Sequence, residues 1–222
     1  MTSYGIFLLI AIVQTAMNKM TAATPSEGLK IKNGNFTLKS EPFRIWSGSM
    51  HYFRIPHQEW EDRIVKLKAM GLNTVDIYIP WNLHEKRPGQ YNFKDPDIDI
   101  ARFLDLVNSH GLYAIVRPGP YICTEWDLGG LPGWLLRDAD MKLRTMYPGF
   151  IKPVEKYFGE LFPLLQPYQF SRGGPVIAFQ IENEYGTYGN DSSYMKHLQV
   201  RYDKISLPTS IFDHAVSSTL NN

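Results

Sequence analysis

The chain has 222 residues, 44% hydrophobic and 20% charged, with a formal net charge of +1. That length holds one large domain or two small ones, and the composition is ordinary for a soluble globular protein. A near-neutral charge without a basic stripe argues against a polyanion binder, so nucleic acid is not an expected partner.

Ile6 to Val13 is an unbroken apolar run, too short to span a bilayer comfortably. Its length suits the core of a secretory leader, and the small residues Thr21-Ala22-Ala23 follow it. Residues 1–23 are therefore expected to be a signal peptide, with no stable membrane anchor in the mature protein. No Lys or Arg precedes the run, so an uncleaved anchor and a misplaced start stay open. Asn35-Phe36-Thr37 and Asn190-Asp191-Ser192 agree with export and mark Asn35 and Asn190 as expected glycosylation sites. The single cysteine, Cys123, cannot form an internal disulfide and is read as a small buried residue.

Ile45 to Tyr52 reads as a first strand. After Pro56, the residues Trp60, Ile64, Leu67 and Met70 fall on one helical face, with Gly71 as a stop. A second strand, Thr74 to Ile79, is closed by Pro80, and a helix follows over Ile98 to Ser109. A third strand, Tyr113 to Arg117, ends in Pro118-Gly119-Pro120, and a long loop carries Gly129-Gly130-Leu131-Pro132-Gly133. A helix over Phe150 to Leu165 precedes a fourth strand at Val176, and a last helix spans Ser192 to Tyr202. This alternation predicts a parallel sheet with helices packed outside. An open doubly wound sheet and a closed barrel both fit it. The first strand lacks the glycine-rich phosphate loop of the open sheet. Polar residues instead follow several strands, as in a barrel whose strand ends build the site.

The apolar run Pro175 to Phe179 leads into Gln180-Ile181-Glu182-Asn183-Glu184-Tyr185-Gly186. A buried strand that finishes in two carboxylates, an amide and a phenol needs a reason, because burying unpaired charge is costly. A turn with solvated acids is the plainer alternative. Tyr78 ends its strand and can face a pocket or serve as a core tyrosine. Glu125 follows a Pro/Gly-rich turn and reads as a site acid or a surface acid. Trp81, Trp126 and Trp134 offer flat faces for a sugar ring or for packing. Arg117 is expected to pair with Glu182 in preference to Glu184, because a cation would oppose the raised pKa an acid catalyst needs. The six histidines lack metal spacing, so neither a metal nor another cofactor is expected.

Seven strings resemble glycoside hydrolase family 35, the β-galactosidases, in the family's order. They are Gly48 to Arg54, Tyr78 to Glu85, Pro88 to Tyr91, Arg117 to Cys123, Glu125-Trp126, Gly129 to Pro132, and Gln180 to Gly186. Thr124 departs from the family's more frequent alanine. The resemblance covers residues 28–202 and implies a (β/α)8 TIM barrel, of which this chain carries the N-terminal half. It implies release of terminal β-galactose with retention, from β-galactoside glycans or oligosaccharides. It also implies Glu184 as acid/base, Asn183 on the sugar 2-hydroxyl, and Tyr78, Glu125 and Glu182 as sugar-binding groups. The destination it suggests is the lysosome or the outside of the cell.

Retaining glycosidases need two carboxyl groups about 5 Å apart on opposite faces of the sugar. Glu182 and Glu184, as alternate residues of one strand, would point the same way, so they are not that pair. For Asn183 to reach the sugar, the strand must bend near its end. Only four strands are read here, against the eight a closed barrel needs, and no residue stands where the family's nucleophile would be. Residues 203–222 are read as a divergent tail without a further βα unit. The chain alone is thus expected to be inactive and poorly folded, with open sheet edges. Two other readings stay open: another retaining glycosidase of the same barrel class, and a non-catalytic or non-functional fragment.

Overall fold

The computed structural model describes residues 28–204 and 210–212, so the leader lies outside the described residues. The chain opens with an antiparallel meander, β1 (Lys30–Lys32), β2 (Asn35–Leu38) and β3 (Glu41–Pro42). Asn33 and Gly34 connect the first two strands with φ of 51° and 77°, the left-handed pair a tight hairpin turn requires. The βα units follow: β4 (Ser47–Ser49), α1 (Trp60–Ala69), β5 (Thr74–Tyr78), α2 (Trp81–His84), α3 (Ile100–Ser109) and β6 (Tyr113–Arg117). Then come α4 (Pro148–Leu165), β7 (Val176–Ile181), α5 (Tyr185–Tyr188), α6 (Ser192–Lys204) and β8 (Ser210–Phe212).

Strands β4 to β8 form one parallel sheet in sequence order. This is the alternation read from the sequence, and the described strands make up part of a (β/α)8 barrel. Three expectations need correction. The first strand is three residues long, not eight, because the chain turns into a 3-10 helix at Tyr52–Arg54. Met70 is 72% exposed, because α1 stops at Ala69 and Gly71 takes the left-handed position past its end. A fifth parallel strand, β8, pairs Ser210, Ile211 and Phe212 with Phe179, Gln180 and Ile181. The tail thus supplies backbone to the edge of β7, which can pair with a short extended segment of many compositions.

Two apolar layers cover the sheet. Val75, Ile77, Ala114, Val116, Phe179 and Ile181 are buried in the main core with the helices. On the inner face, Ile177, Ala178 and Phe170 pack with Leu29 and Leu38 of the meander region. Period-2 alternation turns Ile115 and Arg117 inward, towards a cavity of about 370 Å³ that they line with Ser49, Asp76 and Gln180. Gly48 allows α1 to approach β4: a Cβ there would meet Leu72 at 2.8 Å and Leu67 at 3.0 Å.

The turn after β5 is a structural unit. Trp81 is fully buried and stacks on Tyr157, with centroids 5.0 Å apart. Glu85 accepts from Trp81 Nε1 at 2.5 Å and from the Gly89 N–H at 2.7 Å. His84 is fully buried, and its Nδ1 lies 2.8 Å from the Asn92 carbonyl, which can only accept. Nδ1 therefore carries the proton, and Nε2 accepts from the Tyr52 hydroxyl at 2.7 Å. Burial lowers the His84 pKa from 6.5 to about 4. Between those values the unfolded chain takes up a proton that the folded chain refuses, so stability falls as pH drops through this window. The total loss from this group approaches about 3 kcal/mol. Chemical melts from pH 7 to pH 4 check this, and His84→Gln is expected to flatten the slope.

Candidate active site

The carboxyl ends of β5, β6 and β7 carry the polar residues singled out in the sequence. Tyr78 ends β5 half-buried, and its hydroxyl accepts from Arg117 Nη1. The guanidinium also lies over the Tyr78 ring, 4.4 Å from its centroid. Burial pushes the Tyr78 phenol up, and Arg117 opposes the shift. Arg117 Nε donates to Gln180 Oε1 at 2.5 Å, and Nη1 lies 3.7 Å from Asp76 Oδ2. Asp76 also accepts from the Ser49 hydroxyl at 3.2 Å. Its carboxyl is pushed up by burial, with Arg117 pulling the other way. Gln180 Nε2 donates to the Glu182 carbonyl at 3.0 Å and makes a long 3.5 Å contact with Asn183 Oδ1. A polar run thus joins Tyr78, Arg117, Gln180 and Asn183 across three strand ends.

The expected Arg117–Glu182 pair does not form. Arg117 and Gln180 face inward as neighbours on adjacent strands, whereas Glu182 lies beyond the end of β7. Strand β7 ends at Ile181, and Glu182 and Glu184 take left-handed φ of 62° and 49°. The chain bends there as expected, but Asn183 in the bend is buried, 7% exposed, and is not among the residues lining the cavity beside Arg117 and Gln180. The bend also overturns the shared direction expected of the two acids: Glu182 is 2% exposed, and Glu184 is exposed at the start of α5. Left-handed non-glycine residues cost on the order of 1–3 kcal/mol each, so the surroundings must hold them.

Arg144, which the sequence reading passed over, does so at Glu182. Its Nη2 donates to Glu182 Oε2 at 2.6 Å and to the Asn183 carbonyl at 2.5 Å. Tyr194 donates to Glu182 Oε1 at 2.5 Å, and the Asn183 N–H donates to Oε2 at 3.0 Å. Burial pushes the Glu182 carboxyl up, and these donors oppose it. A buried acid implies a cation, but 23 Lys and Arg residues leave the partner unreadable from sequence.

Glu125 is exposed in a second left-handed run, with φ of 59°, 53° and 46° at Cys123, Thr124 and Glu125. Arg54 Nη2 holds this run through the carbonyls of Thr124 at 2.6 Å and Glu125 at 3.2 Å. Cys123 is half-buried, not buried, because the turn carries it towards the surface. Of the three tryptophans, Trp81 belongs to the core. Trp126 is half-buried and donates to Asn82 Oδ1 at 2.9 Å, and Trp134 donates to the Glu85 carbonyl at 3.0 Å. Among the described residues no cluster of His, Cys, Asp and Glu is arranged to hold a metal ion, and no helix is long and apolar enough to cross a membrane.

Solved structures share the fold. An exo-β-1,4-mannosidase, Op5Man5, from Opitutaceae bacterium strain TAV5 superimposes with a TM-score of 0.61 at 17% identity, over 84% of this chain and 33% of its own. A GH5_18 structure from Streptomyces cattleya in complex with GlcNAc gives 0.57 at 12% identity, over 76% and 43%. Together with the sheet order, these define the class as an incomplete (β/α) barrel.

The sequence pattern of glycosyl hydrolases family 35 matches residues 35–221, and the chain belongs to that family. Human β-galactosidase-1-like protein 2 is 50% identical over 172 residues, 78% of this chain and 27% of its own length. Bovine β-galactosidase is 41% identical over 199 residues, 89% of this chain and 30% of its own. The chain thus spans about 27–30% of the length of these relatives.

Proposed function

We propose that this chain carries part of the active site of a retaining exo-β-galactosidase. In this reading Glu184 is the acid/base, Asn183 contacts the sugar 2-hydroxyl, and Tyr78 and Glu125 bind other hydroxyls. The observation that carries the reading is the polar run from Tyr78 through Arg117 and Gln180 to Asn183, beside a turn that presents Glu184 to solvent. Membership of a family with β-galactosidase relatives supplies the substrate class. The seclusion of Glu182 favours a role inside the protein over the sugar contact first expected of it.

The nucleophile has no candidate in this sequence, so turnover requires a form of the protein that supplies a second carboxylate from the opposite side of the sugar. In this reading the 222-residue chain alone is inactive, and galactoside binding without cleavage is the alternative. Aryl β-galactoside and β-glucoside turnover, compared on the isolated chain and on the longest product of its gene, tests this. Galactoside cleavage by the isolated chain overturns the inactivity, and preference for the glucoside overturns the substrate class. No metal or other cofactor is part of the proposed chemistry.

The reading also places the protein in the secretory pathway, in the lysosome or outside the cell. Asn35 and Asn190 are both exposed, as an acceptor asparagine must be. Expression in secreting cells is expected to yield a product that shifts on a gel after N-glycan removal. Asn35→Gln and Asn190→Gln should each remove one step of that shift. An unshifted wild-type band would count against export.

A further inference from the structure

We propose that Arg144 is a positioning residue that sets the Asn183–Glu184 turn by gripping Glu182. The inference rests on the reading of Asn183 and Glu184 as substrate-facing groups. Arg144 is 3% exposed, and its own φ is +56°, in the loop before α4. Its guanidinium makes a fork on Glu182, with Nε at 3.1 Å and Nη2 at 2.6 Å from Oε2, and Nη2 also holds the Asn183 carbonyl at 2.5 Å. The same group lies against two aromatic rings, 4.0 Å from the centroid of Tyr121 and 4.1 Å from that of Tyr188. The Tyr185 hydroxyl donates to the Arg144 carbonyl at 2.9 Å, and Tyr194 fixes the far oxygen of Glu182.

Tyr121 belongs to the loop that carries Glu125, and Tyr188 belongs to the helix that starts after Glu184. One planar cation therefore ties both proposed sugar-facing loops to the end of β7. Lysine carries the charge, but it has neither the fork nor the flat face to reproduce these contacts together. A buried ion pair is weak support for stability in itself. Its distinctive consequence here is the direction the chain takes through two left-handed residues.

The test is hydrogen exchange by NMR on the protein as its gene expresses it, comparing wild type with Arg144→Lys. The Asn183 N–H, bonded to the Glu182 carboxylate, and the Glu182 N–H, bonded to the Gly119 carbonyl, report the turn. The Ile79 N–H, bonded to the Arg117 carbonyl, is the reference. Positioning predicts that the two turn amides exchange at least about ten times faster while the reference changes little, as local opening requires. A uniform rise, or no change, overturns the proposal. Where the protein turns over galactosides, kcat is expected to fall about 10- to 100-fold with KM little altered, as misplacement of reacting groups predicts. Free guanidinium should restore part of the loss in Arg144→Ala. Wild-type kcat in Arg144→Lys overturns the proposal. If wild type neither binds nor cleaves galactosides while the exchange difference holds, the functional reading fails and the anchoring of the turn stands. Should Arg144→Lys not accumulate folded, Tyr194→Phe removes one bond to Glu182, and the same local exchange difference decides.

Discussion

Glu184→Gln is expected to slow hydrolysis of galactosides with poor leaving groups by about 10²–10⁴-fold, the usual contribution of a positioned acid/base. Glutamine keeps the size and polarity of the side chain but has no proton to give the departing oxygen. Alkyl galactosides, whose leaving oxygen needs that proton, should lose most. Nitrophenyl galactosides, whose leaving group departs as a stabilised anion, should lose less in the first step. The substitution is not expected to disturb folding, since Glu184 is exposed and sits outside the cores. The measurement is kcat/KM across a leaving-group series, in the form of the protein that turns over β-galactosides. A loss of equal size for every leaving group, or no loss, would sink the acid/base assignment.

Glu182→Ala is expected to have the largest effect on stability, about 3–5 kcal/mol, because it leaves the Arg144 charge buried without its counter-ion. For a domain of this size that corresponds to a fall in melting temperature on the order of 6–20 °C. Both partners are nearly sealed, with side-chain exposures of 4% for Arg144 and 1% for Glu182. Replacing both partners with apolar residues, Arg144→Met with Glu182→Leu, should recover much of the loss, since apolar substitutes for a buried pair are often neutral or better. That double variant separates stability from positioning: it should melt close to wild type yet keep a loosened Asn183–Glu184 turn. Thermal melts of the three proteins decide. A single variant within about 1 kcal/mol of wild type would mean that water reaches the Arg144 site, against the energetics of an unpaired buried charge.

Much of the frame was readable before any coordinates. The strands at Thr74, Tyr113 and Val176 and the helices at Trp60, Ile100, Phe150 and Ser192 appear within a few residues of where periodicity and Gly/Pro stops put them. The hairpin of β1 and β2 escaped notice although Asn33-Gly34 is a recognised turn pair, because its strands are short and β1 is exposed along its whole length. Strand β8 escaped because three residues carry no usable period, and their pairing depends on an edge formed thirty residues earlier in the chain.

In the site, carboxylates and an amide at the end of an apolar run made the Gln180 to Gly186 string stand out locally, while the roles expected of Tyr78, Glu125, Glu182, Asn183 and Glu184 came from the resemblance. The ordered strings were enough for the family. Which charge meets which was not local. Arg117 and Arg144 are both arginines near turns, and only the sheet register puts the first beside Gln180 and Tyr78. Only the left-handed turn after Ile181 swings Glu182 away from that row and into the tyrosine-lined seat of Arg144. Covalent sequence carries periodicity and turn chemistry directly. The pairing of buried charges follows from where distant backbone segments come to rest, because the cost of desolvation is relieved only by a partner within a few ångströms.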